Sequence, residues 1–128
     1  MGNTSKKIGT EAESKVVRFL NDHGIKAVRK VLHGSKDEGD LLVSLPFGID
    51  VSFEVKGGKQ TWNPNRASMN EWLRQAAVES ENSGTTCYLC VAKYRKQVKD
   101  FDVWLEEGGM RYHWFLDEWC KWINSWND

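Results

Sequence analysis

The sequence predicts an α/β domain built on a mixed β-sheet. An amphipathic helical run comes first, three short β-branched runs separated by turn residues follow it, and a second helical run leads into an uncharged apolar strand. A strand and helix appendage closes the chain. The 128 residues fit one domain spanning 1–128, long enough to bury a core and too short for two ordinary ones.

Each element has a local cause. From about Gly9 to Asn21, Ala12, Val16, Val17, Phe19 and Leu20 fall on one arc at helical spacing, and Gly24 is a stop. Ile25–Leu32 then reads as a strand. Leu41–Leu45 and Ile49–Val55 read as a hairpin around Pro46-Phe47-Gly48. Ser68-Met69-Asn70-Glu71 is a capping box opening a helix through Trp72, Leu73, Ala76 and Ala77, which ends near Ser83-Gly84. Thr85–Ala92 is the uncharged strand. Asp102–Leu105 and Arg111–Phe115 are short strands about the Glu106-Glu107-Gly108-Gly109 turn. Leu116–Trp126 is helical, with Trp119, Trp122, Ile123 and Trp126 at helical spacing.

Composition excludes several classes. Eighteen Lys plus Arg balance eighteen Asp plus Glu, so nucleic acid cannot be held by bulk positive charge. With only two prolines and a mean hydropathy of −0.60, neither a disordered chain nor a membrane span is expected. The first ten residues carry no apolar segment after their lysines, so no signal peptide is expected and the expected location is cytoplasmic. Cys87, Cys90 and Cys120 are too few for a disulfide framework. Cys87 and Cys90 lie three apart on a strand and so point to opposite faces, which makes them core cysteines.

The chemistry starts at Phe53-Glu54-Val55-Lys56. On a strand, Glu54 and Lys56 share one face while Phe53 and Val55 share the other. A hairpin turning at Phe47 gives partner numbers summing to about 94, which sets Asp40 opposite Glu54. Two carboxylates that close repel unless a cation lies between them, and oxygen ligands favour Mg²⁺, with Mn²⁺ as a substitute. On the first helix, Glu13 lies about 50° from the centre of the apolar arc and Glu11 about 150°. Glu13 therefore borders the buried face and is the candidate to reach toward the metal.

These residues resemble the PD-(D/E)XK nuclease superfamily, and most nearly the archaeal-type, phage-encoded Holliday junction resolvases. Ile8-Gly9-Thr10-Glu11-Ala12-Glu13 is similar to that family's opening helix, Gly34-Ser35 and Gly39-Asp40-Leu41-Leu42-Val43 to its serine loop and Asp strand, and Phe53-Glu54-Val55-Lys56 to its E-x-K strand. The likeness covers about residues 6–95 and leaves the tryptophan-rich tail, about 100–128, outside it. Gly39 stands where the superfamily name has proline, and the basic surface of the family is diluted.

The resemblance implies a restriction-endonuclease-like α-β-β-β-α-β core. It also implies hydrolysis of DNA phosphodiesters, four-way junctions above all, to 5′-phosphate and 3′-hydroxyl ends. Asp40 and Glu54 would hold Mg²⁺ with the Val55 carbonyl, Glu13 would complete the shell, Lys56 would serve the attacking water, and Ser35 would contact the scissile phosphate. Lys30, Lys36, Lys59 and Arg66 are candidate DNA contacts by proximity to these motifs. The basic stretch with Lys93, Arg95 and Lys96 is a phosphate-contacting edge or a solvated loop. Symmetric cutting of a junction implies a homodimer. The tail tryptophans pack on their own sheet, cover an interface, or stack bases; the sequence leaves all three open. Other substrates of the same chemistry are duplex, nicked or flap DNA, and a catalytically silent DNA-binding or assembly module is the reading of another class.

Overall fold

The computed structural model describes residues 2–30, 39–92 and 101–127, with side chains from 11 onward. Its elements are α1 (Gly2–Asp22), β1 (Lys26–Arg29), β2 (Leu41–Ser44), β3 (Asp50–Lys56), α2 (Arg66–Ser83), β4 (Cys87–Ala92), β5 (Phe101–Glu107), β6 (Met110–Phe115) and α3 (Leu116–Ser125). They form a mixed α/β domain around one six-stranded sheet in the order β1-β2-β3-β4-β5-β6. Among the described strands only β3 and β4 run parallel; the other neighbours are antiparallel. The crossover through α2 explains the exception, because a returning parallel strand needs a long connection. Among the described residues no helix is long and apolar enough to cross a membrane.

Several boundaries differ from expectation. Helix α1 begins at Gly2 rather than near Gly9, since a glycine inside a helix costs only about 1 kcal/mol and does not stop it. Helix α2 is capped three residues before the cap expected at Ser68. Asn65 is its cap, its side chain accepting the Ser68 N–H at 2.8 Å, and Gly84 ends it at φ 72°. The tail is no appendage. Strands β5 and β6 extend the main sheet, and α3 buries Leu116, Trp119, Cys120 and Ile123 in the same core as Val16, Leu41 and Phe53. Trp119 is fully buried, edge-on to Phe53 at 5.1 Å and to Tyr88 at 5.4 Å.

The tryptophans thus divide between roles. Trp72 and Trp119 are buried, Trp104 and Trp114 half-buried, and Trp62 and Trp122 exposed. The three cysteines are free and buried, as expected of core residues.

The two faces of the sheet differ in chemistry. Val51, Phe53, Val55, Tyr88, Cys90 and Val103 point to the face covered by α1 and α3. The opposite face carries Ser52, Glu54 and Lys56 on β3, Leu89 and Val91 on β4, and Asp102 and Trp104 on β5. Helix α2 covers its middle through Trp72 and Leu73. It stands as a ridge on a polar face, leaving a cleft on each flank.

Candidate active site

The hairpin register is the one expected: Leu41 faces Phe53, Val43 faces Val51 and Ser44 faces Asp50. Asp40 lies one residue beyond this ladder. Its N–H donates to the Phe53 carbonyl at 2.9 Å, and its Oδ2 accepts the Val55 N–H at 2.8 Å. The carboxylate therefore rests on the amide between Glu54 and Lys56. Val55, expected to lend a carbonyl, is bound to Asp40 through its amide.

Gly39, just before Asp40, has a backbone that proline could not adopt. It holds φ +98°, where proline's ring, locked near −65°, cannot follow. A Cβ there would also lie 3.3 Å from the Ser52 Cβ.

Glu54 is buried and pairs with Lys56, whose Nζ lies 3.4 Å from its Oε1. An ion pair with so little water would be costly to break from one side, because the remaining charge is left buried. Glu54 and Lys56 line a cleft of about 280 Å³ together with Arg74, Gln75, Val78 and Glu79. Glu79 is a second buried carboxylate, with the Cys87 thiol donating to its Oε2 at 3.6 Å. Burial foremost, then the carboxylates of Glu79 and Glu54, push the Cys87 thiol far above its ordinary range, so it stays protonated.

Sequence reasoning missed Glu79. The signal was present, since Glu79 follows Trp72 by seven residues and so falls on the buried stripe of α2.

The remaining expected residues are placed as follows. Glu13 meets Arg29, Oε2 to Nη2 3.8 Å, and burial raises its carboxyl above the usual glutamate range against the opposing pull of Arg29. Its neighbour Ala12 packs on Gly57 so closely that a Cβ at Gly57 would lie 2.5 Å from the Ala12 Cβ. Helix α1 thereby crosses at the end of β3, just past Lys56. Lys30 turns inward: its Nζ donates to Ser52 Oγ at 2.7 Å, and Ser52 Oγ lies 3.2 Å from Thr85 Oγ1. Lys59 and Arg66 are exposed, and Arg66 lines the cleft on the far flank of α2. Ser35, Lys36, Lys93, Arg95 and Lys96 lie outside the described residues.

Among the described residues no three His, Cys, Asp or Glu side chains stand together in a metal-binding group. The structure brings Asp40 onto β3 beside Glu54 and Lys56, and it gives Glu13 to Arg29. Asp40 and Glu54 offer oxygen donors only, a set suited to a hard divalent cation. Neither protein-family models nor curated protein sequences yield a match to this chain.

Proposed function

We propose that this protein is a Mg²⁺-dependent DNA endonuclease of the PD-(D/E)XK kind, acting on branched DNA and above all on four-way junctions. The observation that carries the reading is Asp40 seated on the Val55 amide, with Glu54 and Lys56 on either side. The element order up to β4 and the parallel β3–β4 pair support the restriction-endonuclease-like core that goes with it.

In this reading Asp40 and Glu54 would hold the cation, and Glu13, paired with Arg29, would be a further candidate ligand. The ion, when bound, supplies a Lewis acid at the phosphoryl oxygen and a more acidic water. Lys56 orients the attacking water and offsets negative charge as it grows on the phosphate. The water oxygen bonds to phosphorus, the P–O3′ bond breaks, and a proton passes to the departing oxygen. The products are a 5′-phosphate and a 3′-hydroxyl. Two symmetric cuts require two such sites, hence a homodimer.

The test uses labelled four-way junction, plain duplex and single strand, each with Mg²⁺ and with EDTA, beside Asp40→Asn and Lys56→Ala. Paired junction cuts that need Mg²⁺ are expected, with a loss of at least about 100-fold in each variant, the scale of a metal or charge-stabilising group. Equal cutting of plain duplex would end junction selectivity. Full activity in Asp40→Asn would end the site assignment.

A further inference from the structure

The cleft on the far flank of α2 has a composition of its own. It measures about 370 Å³ and is lined by Arg66, Met69, Val91, Asp102, Trp104 and Arg111, among others. That volume is within the range of sites for small organic ligands. Trp104, Met69 and Val91 make an apolar wall. Trp104 is braced from behind, its ring stacked on His113 with centroids 4.2 Å apart.

Asp102 is 3% exposed, with His113 Nε2 2.8 Å from its Oδ1. A carboxylate buried this deeply beside a cleft is an acceptor for N–H groups that enter it. Arg111 is exposed and ion-paired with Glu106, its Nε and Nη2 donating to Glu106 Oε2 at 2.9 and 2.8 Å and its Nη2 to Asn70 Oδ1 at 2.9 Å. Arg66 stands exposed at the rim.

An aromatic wall, a buried acceptor and two guanidinium groups form a set suited to a flat, amine-bearing heterocycle that carries a phosphate. The register places this set relative to Lys56. Lys56 faces Val91 across the β3–β4 pair, and Val91 faces Asp102 across the β4–β5 pair. Lys56 and Asp102 are thus two strands apart in one cross-strand row, about 10 Å at the usual strand spacing. Val91 and the α2 ridge lie between them, so the two clefts open on opposite flanks of α2.

We propose that this cleft holds one unpaired nucleotide close to the cleavage site, its base against Trp104 and Met69, its amine edge toward Asp102 and its phosphate at Arg66 and Arg111. The context rests on the nuclease reading. The chemistry of the cleft does not. A duplex cannot present a base this way, so the cleft would favour DNA with bases already unstacked, as at a junction or flap. Cytosine, adenine and guanine carry an exocyclic amine, whereas thymine offers only a ring N–H set between two carbonyl oxygens that a carboxylate repels. The cleft therefore ranks thymine last.

The experiment measures binding alone, by anisotropy of labelled (dC)₄ and (dT)₄, using the Asp40→Asn protein in EDTA so that no cleavage intervenes. Saturable (dC)₄ binding is expected, with (dT)₄ about fivefold weaker or more. Arg66→Ala and Trp104→Leu should each weaken (dC)₄ by about fivefold or more, and Asp102→Asn should shrink the preference for (dC)₄. Should Trp104→Leu not fold, the exposed Arg66 and the base preference still decide. Equal binding of the two oligonucleotides, or binding untouched by Arg66→Ala, overturns the proposal. Junction cutting by the wild type with no such binding refutes the cleft and spares the nuclease reading. Binding with the stated preference in a protein that cuts no DNA keeps the cleft and refutes the nuclease.

Discussion

Glu13 sits where a carboxylate is costly. Burial holds its carboxyl above the usual glutamate range, and Arg29, half-exposed and 3.8 Å away, offsets that only in part. The folded chain therefore binds this proton more tightly than the unfolded chain does. By linkage, stability falls as pH rises from the usual glutamate value through the raised one, and the cost is fully present above it. Glu13→Gln should be more stable than wild type at pH 7, with the gain gone at about pH 3.5, below the usual glutamate value. Urea midpoints at the two pH values check this, and a variant less stable at pH 7 would refute it. Asp40 was legible from turn arithmetic alone, because the register of a hairpin follows from its turn. Gly39's left-handed backbone was not, since it depends on how closely that segment meets Ser52.

At the scale of elements, α3 separates two uses of tryptophan that the sequence left undecided. Trp119 packs edge-on against Phe53 and Tyr88 with no exposure, whereas Trp122, three residues on, is 43% exposed and stacks on Trp114 at 5.9 Å. Trp119→Ala should cost about 3–5 kcal/mol, the range for emptying a buried aromatic site. Trp122→Ala should cost much less, about 1 kcal/mol. Chemical denaturation of the two variants gives the comparison, and equal losses would contradict this packing. Helical spacing alone could not rank them, because both fall on one broad apolar arc and the sheet decides which points inward. Helix α2 shows the same division. Trp72, Leu73 and Ala76 were legible as its buried stripe, and Glu79 belongs to that stripe by phase. The two clefts beside α2 were not legible, since they depend on where the ridge lies across β3, β4 and β5.

For the whole molecule, eighteen positive against eighteen negative charges leave no long-range field to draw DNA in. On the proposed nuclease reading, affinity for DNA would have to come from local cations and from a metal ion bound at the carboxylates. On one flank of α2 the cleft sets Glu54 and Glu79 against Lys56 and Arg74, with Asp40 on the Val55 amide beside them, so a divalent cation bound at Asp40 and Glu54 would tip the local balance toward phosphate. Ca²⁺, which resembles Mg²⁺ in its preference for oxygen ligands, should therefore strengthen junction binding by the wild-type protein by about tenfold. In Asp40→Asn, with one ligand oxygen and one negative charge removed, metal-free binding should be tighter than wild type and the gain from Ca²⁺ smaller. Titrations of labelled junction in EDTA and in Ca²⁺ at one fixed salt concentration measure both quantities, the salt being held constant because phosphate contacts are salt-sensitive. An equal gain from Ca²⁺ in the two proteins would mean that the ion acts on the DNA rather than at Asp40, and the charge-relief account would fail.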